Sequence, residues 1–196
     1  MSLPLLALLG YAIGSVPFSF LVARWFGVRD VRAVGSGNVG ATNVMRSAGR
    51  APGVLALVLD GSKGALSVVL ARGLGSAEAG VCLAGLCAVI GHVFPIWLGF
   101  RGGKGVATAA GLFIPLAPVG FGFGVLAFMI TLTVSRLVSL ASIIAAVALP
   151  AAVFLSAASP GLKATAAIAG AMVIARHHAN IGRLARGEEP RIGRRT

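Results

Sequence analysis

Gly105-Val106-Ala107-Thr108-Ala109-Ala110-Gly111-Leu112-Phe113-Ile114-Pro115-Leu116-Ala117-Pro118 is the stretch on which the arrangement of this chain turns. Its apolar part, 105–115, rises 1.5 Å per residue as a helix and so covers about half of a ~30 Å hydrocarbon core. Pro115 and Pro118 punctuate it, and proline ends or kinks a helix. The stretch is therefore either a short crossing of its own or the first part of one long, kinked helix running from 105 to 134.

Around it lie six longer apolar runs, at 3–23, 53–72, 77–98, 118–134, 138–158 and 162–175. The chain is 57% hydrophobic and 11% charged, against about 25% charged in an ordinary soluble domain. A soluble globule of this size cannot hide so much apolar surface, whereas a bilayer can. Lys and Arg number 17 against five acids, a net charge of +12. In a soluble protein that excess points to nucleic acid; here the cations flank apolar runs and mark the cytoplasmic side.

Charge decides between the two readings. Arg24 follows the first run, and no basic residues precede it, so the run is expected to be a retained span with its N-terminus outside. Seven spans then bring Arg24, Arg29, Arg32, Arg46, Arg50, Arg101, Lys104, Arg136 and the basic tail inside, and leave Arg72 and Lys163 outside. Six spans put Arg136 and the tail on the wrong side. The expected fold is all-α: a polytopic membrane protein of seven transmembrane helices, the fourth short, with a cytoplasmic C-terminus and a single domain over 1–196. The same count brings loop 29–50, the turn 99–105, the turn 135–137 and the tail from 176 to one face.

Two of those segments are rich in anion-binding chemistry. Gly35-Ser36-Gly37-Asn38-Val39-Gly40-Ala41-Thr42-Asn43-Val44-Met45-Arg46 contains GxGxxG, but no strand precedes it, so it is not a dinucleotide fingerprint. Glycines still let backbone N–H groups converge on an anion. Ser36, Asn38, Thr42 and Asn43 add neutral donors, and Arg46 adds a fork suited to phosphate oxygens. A plain connecting loop seldom combines such residues so tightly. In Phe100-Arg101-Gly102-Gly103-Lys104-Gly105, two cations bracket two glycines just before a helix, and a helix N-terminus favours anions. It is not a Walker loop, since Leu98 and Gly105 stand at positions that motif reserves for Gly and for Ser or Thr.

His92, at the end of an apolar run, reads as a packing or hydrogen-bonding residue. Asp60 and Lys63, three apart near the start of the second span, read as an internal ion pair, because either alone costs about 2.5–3.5 kcal/mol or more at the bilayer centre. His177 and Asn180 share a helix face and suit a proton-handling or hydrogen-bonding role. Arg183, Arg186, Arg191, Arg194 and Arg195 read as inner-leaflet anchors. Cys82 and Cys87 point in different directions on one helix and suggest neither a disulfide nor a metal site. There is no GxSxG, no carboxylate pair and no HxxxxD: Trp97 stands five after His92, and Gly182 five after His177. With no protein nucleophile in view, an enzyme of this kind takes an already activated substrate and supplies positioning and charge stabilisation. The rival class is a transporter of a small phosphorylated solute, whose site would lie near the midplane between repeated halves. No repeat is visible here.

Gly35-Ser36-Gly37-Asn38-x-Gly40-Ala41-Thr42-Asn43, Asp60-x-x-Lys63-Gly64, Gly91-His92-x-Phe94-Pro95, Phe100-Arg101-Gly102-Gly103-Lys104-Gly105 and His177-x-x-Asn180-Ile181 together resemble the bacterial acyl-phosphate-dependent glycerol-3-phosphate acyltransferases, over nearly the whole chain. The resemblance implies transfer of a fatty acyl group from acyl phosphate to the 1-hydroxyl of glycerol 3-phosphate, giving lysophosphatidic acid and inorganic phosphate, the first step towards phosphatidic acid. It implies a bacterial inner-membrane enzyme facing the cytoplasm, with membrane lipid as its surroundings and no metal, cofactor, nucleic acid or obligatory protein partner. It assigns Ser36, Arg46, Lys104, His177 and Asn180 to glycerol 3-phosphate. It assigns Gly37, Asn38 and Gly40, with Thr42, Asn43 and Gly102 to Gly105, to the acyl phosphate, and Gly35 and Arg101 to substrate binding. The hydroxyl proton goes either to His177 or to a substrate phosphate oxygen.

Overall fold

The computed structural model describes residues 1–192, so Arg194 and Arg195 lie outside the described residues. Every regular element among those residues is helical: α1 (Leu3–Ser15), α2 (Phe18–Trp25), α3 (Ala41–Ala48), α4 (Arg50–Gly73), α5 (Glu78–Val93), α6 (Val106–Leu116), α7 (Pro118–Ser135), α8 (Val138–Leu155), α9 (Pro160–Arg176) and α10 (His178–Ala185), with single 3-10 turns at Val31–Ala33 and Ile96–Leu98. Five helical segments are long and apolar enough to cross a membrane: Leu3–Trp25, Arg50–Gly73, Glu78–Leu98, Pro118–Ser135 and Val138–Leu155. The stretch 105–118 forms a helix of its own, α6, of 11 residues. Ala117 breaks it from α7, whose first residue is Pro118. At about 16 Å, α6 is half the length of a full crossing. The chain divides into two compact units, Met1–Leu116 and Ala117–Thr196.

In the first unit, α1 packs on α5 and α4 on α6, and α4 also touches α3, α5, α2 and α1. Lipid tails are as apolar as leucine, so helices in a bilayer gain little from burying apolar faces and associate through close packing of small residues. The contacts here follow that rule. A Cβ on Gly10 or Gly14 would collide with the Ala84 or Ala88 backbone of α5. Gly111 of α6 lies against the Gly61 carbonyl of α4, and Gly64 against Thr108. The outward faces keep large apolar residues such as Leu8, Leu57, Val58, Val69 and Ile114. Proline at 17 splits the first segment into α1 and α2, and the carbonyl of Val16 accepts a bond from the Lys63 ammonium at 3.0 Å.

In the second unit, α7 packs on α8 and α8 on α9. Gly170 of α9 fits against the Ala146 carbonyl and Pro150 of α8. Arg136, at φ 60, ends the turn between α7 and α8, and its carbonyl accepts from Ile192 N–H at 2.9 Å. Arg191 donates to the Ser135 carbonyl at 3.1 Å, so this tail arginine is bonded to the turn and not only to a leaflet.

Replacing Gly111 by Leu is expected to force α4 and α6 apart and to cost about 1–3 kcal/mol of stability. A clear fall in the thermal unfolding temperature in detergent checks it, against an unchanged value for the outward Ile114→Leu.

Candidate functional site

The first loop is built on a small apolar core. Val31, Val39 and Val44 from the loop and α3 pack with Val22 and Ala23 of α2, Ala56 of α4 and Leu98 of the 3-10 turn that leads into the second loop. One core therefore underlies both glycine-rich segments. Above it, Asn43 is buried, and its amide clasps the loop: Nδ2 donates to the carbonyls of Val31 at 2.7 Å and Val34 at 3.0 Å, while Oδ1 accepts from the Ser36 N–H at 2.9 Å. Gly35, at φ 59, lies against that amide, where a Cβ would collide with Oδ1. Asp30 and Arg32 close the loop's entrance with a bidentate pair at 2.8–3.1 Å. The side-chain bond from Arg32 holds the Asp30 carboxyl down at about 2, so this closure persists until pH falls through that value.

The second loop is paired to the end of α5. Gly102 N–H donates to the Val93 carbonyl at 3.1 Å, and Gly103 N–H to the His92 carbonyl at 3.2 Å. At Gly103 the two loops meet, for a Cβ there would collide with both the His92 Nε2 and the Val39 carbonyl. Arg101 is exposed and Lys104 half-buried. Gly105, at φ 81, turns the chain into α6, whose first-turn N–H groups the helix itself does not use. In α3, Arg46 stands one turn after Thr42, exposed, and Ser36 is exposed on the loop. Several backbone donors expected to face a ligand are engaged within the fold: those of Ser36, Gly37, Gly40, Gly102 and Gly103 all bond to protein oxygens.

Behind the second loop runs a buried polar chain. Lys63 Nζ lies 2.9 Å from Asp60 Oδ1 and 2.8 Å from His92 Nδ1. Ser19 Oγ donates to Asp60 Oδ2, and Thr108 Oγ1 donates to the Asp60 carbonyl at 2.8 Å. The expected internal pair is thus present, but α4 begins at Arg50, so Asp60 sits well along the helix and not near its start.

In the second unit, His177 and Asn180 flank the α9–α10 junction, and both are buried. His177 Nδ1 lies 2.7 Å from the Val173 carbonyl. A carbonyl only accepts, so Nδ1 carries the proton and Nε2 the lone pair of the neutral ring. Asn180 Nδ2 donates to Glu189 Oε1 at 2.6 Å, and Arg183 Nε to Glu189 Oε2 at 2.7 Å. Burial opposes the charge on Glu189, yet the bonds from Asn180 and Arg183 outweigh it and hold the carboxyl below its usual range. Arg186 pairs with Glu188 at 2.7 Å. Arg183 and Arg186, expected as leaflet anchors, therefore each bind a carboxylate.

Residues 4–187 match the glycerol-3-phosphate acyltransferase family. The chain is 47% identical over 190 residues to a glycerol-3-phosphate acyltransferase of Synechococcus sp. (strain CC9902), covering 96% of this chain and 94% of that protein. It is likewise 47% identical over 193 residues to one of Jannaschia sp. (strain CCS1), covering 98% and 94%. The chain belongs to the glycerol-3-phosphate acyltransferase family. Its fold is similar to crystal structures of PlsY (YgiH), an integral membrane glycerol 3-phosphate acyltransferase. The TM-score is 0.93 to the glycerol 3-phosphate form, at 39% identity, covering 98% of this chain and 96% of that one. To the lysphosphatidic acid form it is 0.91, at 38% identity and the same coverage.

Within the first unit of this family member, Ser36, Arg46 and Arg101 are exposed and Lys104 is half-buried, while Asn43 and several of the glycines shape the loops. Sequence reasoning missed three supports: the clasping role of Asn43, the bond of Ser19 to Asp60, and Glu189 beneath Asn180. The signal available for Glu189 was the pair Glu188-Glu189, isolated in a basic tail.

Asn43→Ala is expected to leave two loop carbonyls and the Ser36 N–H without their partners, at about 1–3 kcal/mol. Faster hydrogen exchange at Ser36, with exchange in α5 unchanged, checks it.

Proposed function

We propose that the protein transfers a fatty acyl group from acyl phosphate to the 1-hydroxyl of sn-glycerol 3-phosphate, releasing inorganic phosphate and forming lysophosphatidic acid. The observation that carries this reading is the meeting of two glycine-rich, cationic loops at Val39 and Gly103 over one apolar core, in a member of this family. A reaction with two phosphate-bearing substrates calls for two such loops. The names of the relatives, and the glycerol 3-phosphate and lysphosphatidic acid forms of PlsY, support the acceptor and the product class.

Acyl phosphate is a mixed anhydride, so its carbonyl needs no protein nucleophile. The glycerol hydroxyl attacks, the bond from carbonyl carbon to phosphate oxygen breaks, and phosphate leaves. Lys104 and the N-terminus of α6 stabilise the negative charge that develops on the carbonyl oxygen and the leaving group. Arg46 and Ser36 hold glycerol 3-phosphate, with His177 and Asn180 sharing that task. The Nε2 lone pair of His177 is a competent acceptor for the hydroxyl proton, as is a substrate phosphate oxygen. In this proposal the whole chain works as one domain in a bacterial inner membrane. It crosses seven times, with α6 as the short fourth crossing, the N-terminus outside, and the loops and C-terminus facing the cytoplasm.

Protein in detergent or lipid cubic phase, given acyl phosphate and glycerol 3-phosphate, is expected to release phosphate. Lys104→Ala and Arg46→Ala each lower turnover about 100-fold or more while the protein stays folded. Release from neither acyl phosphate nor an acyl thioester, with uptake of phosphorylated solute into vesicles instead, is the transporter outcome and overturns the reading. A His177→Ala variant that keeps substantial turnover at saturating substrate leaves the proton to the substrate phosphate.

A further inference from the structure

The buried chain behind the second loop is more than a neutralised charge. Lys63 and Asp60 are 1% and 2% exposed, and His92 is 7% exposed, yet the three come from two helices and bond to parts of a third and a fourth. An ammonium has three N–H donors and no acceptor. Lys63 Nζ donates to the Val16 carbonyl at 3.0 Å and lies 2.8 Å from His92 Nδ1, with Asp60 Oδ1 as its counter-charge at 2.9 Å and itself 3.5 Å from Nδ1. With the ammonium as the donor of the 2.8 Å contact, Nδ1 of His92 bears a lone pair and Nε2 bears the proton. Nε2 is the ring atom nearest the Cβ position of Gly103, beside the Val39 carbonyl, which is where the two loops meet. The same carboxylate residue is tied to the other end of the second loop, because its backbone carbonyl accepts from Thr108 in the first turn of α6. Both ends of Gly102–Gly105 are thus fastened to one buried group, the near end through His92 and the far end through Thr108.

We propose that Asp60, Lys63 and His92 are positioning residues for the phosphate-holding loops: Lys63 and Asp60 fix the His92 tautomer, and the Nε2–H then sets the Gly103 backbone against Val39. The kinetic consequence rests on the acyltransferase reading, whereas the tautomer does not. An ion pair costs a bilayer protein free energy that two apolar side chains would spare it, and replacing a buried pair by apolar residues is often neutral or stabilising. A charged pair buried here has a use if its product is an oriented imidazole.

Two measurements test it. The chain has three histidines, so ¹⁵N-histidine labelling gives a short spectrum in which the His92 signals are those lost in His92→Gln. The expected pattern is a neutral ring with the proton on Nε2. A ring with the proton on Nδ1, donating to a neutral Lys63 amine, overturns the proposal whether or not the protein turns over. In the phosphate-release assay, His92→Asn keeps an acceptor near the Nδ1 position but has no group at Nε2, whereas His92→Gln can return a donor there. His92→Asn is expected to lower kcat/KM about tenfold to a hundredfold, mostly through KM for acyl phosphate, and His92→Gln to recover most of the loss. The double variant Asp60→Leu/Lys63→Met is expected to unfold at or above the wild-type temperature and to show the same KM defect. Equal activity of the Asn and Gln variants, or full activity of the folded double variant, overturns the proposal. Absence of turnover in wild type sinks the acyltransferase reading alone, and the spectrum still decides the tautomer.

Discussion

At Gly103 the backbone of one cationic loop passes so close to the Val39 carbonyl of the other that no side chain fits between them. Much of the first unit is arranged around this approach. The core of Val22, Ala23, Val31, Val39, Val44, Ala56 and Leu98 seats both loops, and the Asn43 amide closes the first. The pairing of Gly102 and Gly103 to the end of α5 closes the second. Glycine at these positions matters for what it lacks. Its missing Cβ lets two backbones share one place.

The bilayer explains how such a fold is held. Helices that gain nothing from hiding apolar faces from lipid are joined by small residues, as at Gly10 and Gly14 against Ala84 and Ala88. One buried group within the apolar helices gathers partners from several of them. The Asp60 carboxylate takes Lys63 and Ser19, and its own carbonyl takes Thr108. Even the carbonyl exposed by the break at Pro17 is used, by Lys63. In the second unit Glu189 plays a comparable part, bonded by Asn180 and Arg183.

Much of this was legible in the sequence because the signals are local. Apolar runs ended by glycine, proline and arginine marked the helices, and the placement of the basic residues favoured a separate short α6 over one long kinked helix. The two loops were visible from their glycines and cations alone, and Asp60 with Lys63 from their spacing. What escaped depends on partners far apart along the chain. Ser19 meets Asp60 across 41 positions, and His92 meets Lys63 across 29. Nothing in the neighbourhood of either residue announces the other. Asn43 read as a ligand donor because an amide in a glycine-rich loop resembles one; its burial against Val31 and Val34 shows that it spends its bonds on the loop. The backbone N–H groups of the glycines were read in the same way, and Gly37, Gly40, Gly102 and Gly103 use theirs internally.

The central claim is that phosphate is held where these two loops meet. Hydrogen exchange of the wild-type protein with and without glycerol 3-phosphate addresses it directly, read over 35–46 and 101–108 with glycerol as the control. Glycerol 3-phosphate is expected to slow exchange in both segments together, over the same concentration range, and glycerol to slow neither. Protection confined to one loop, or equal protection by glycerol, would contradict it.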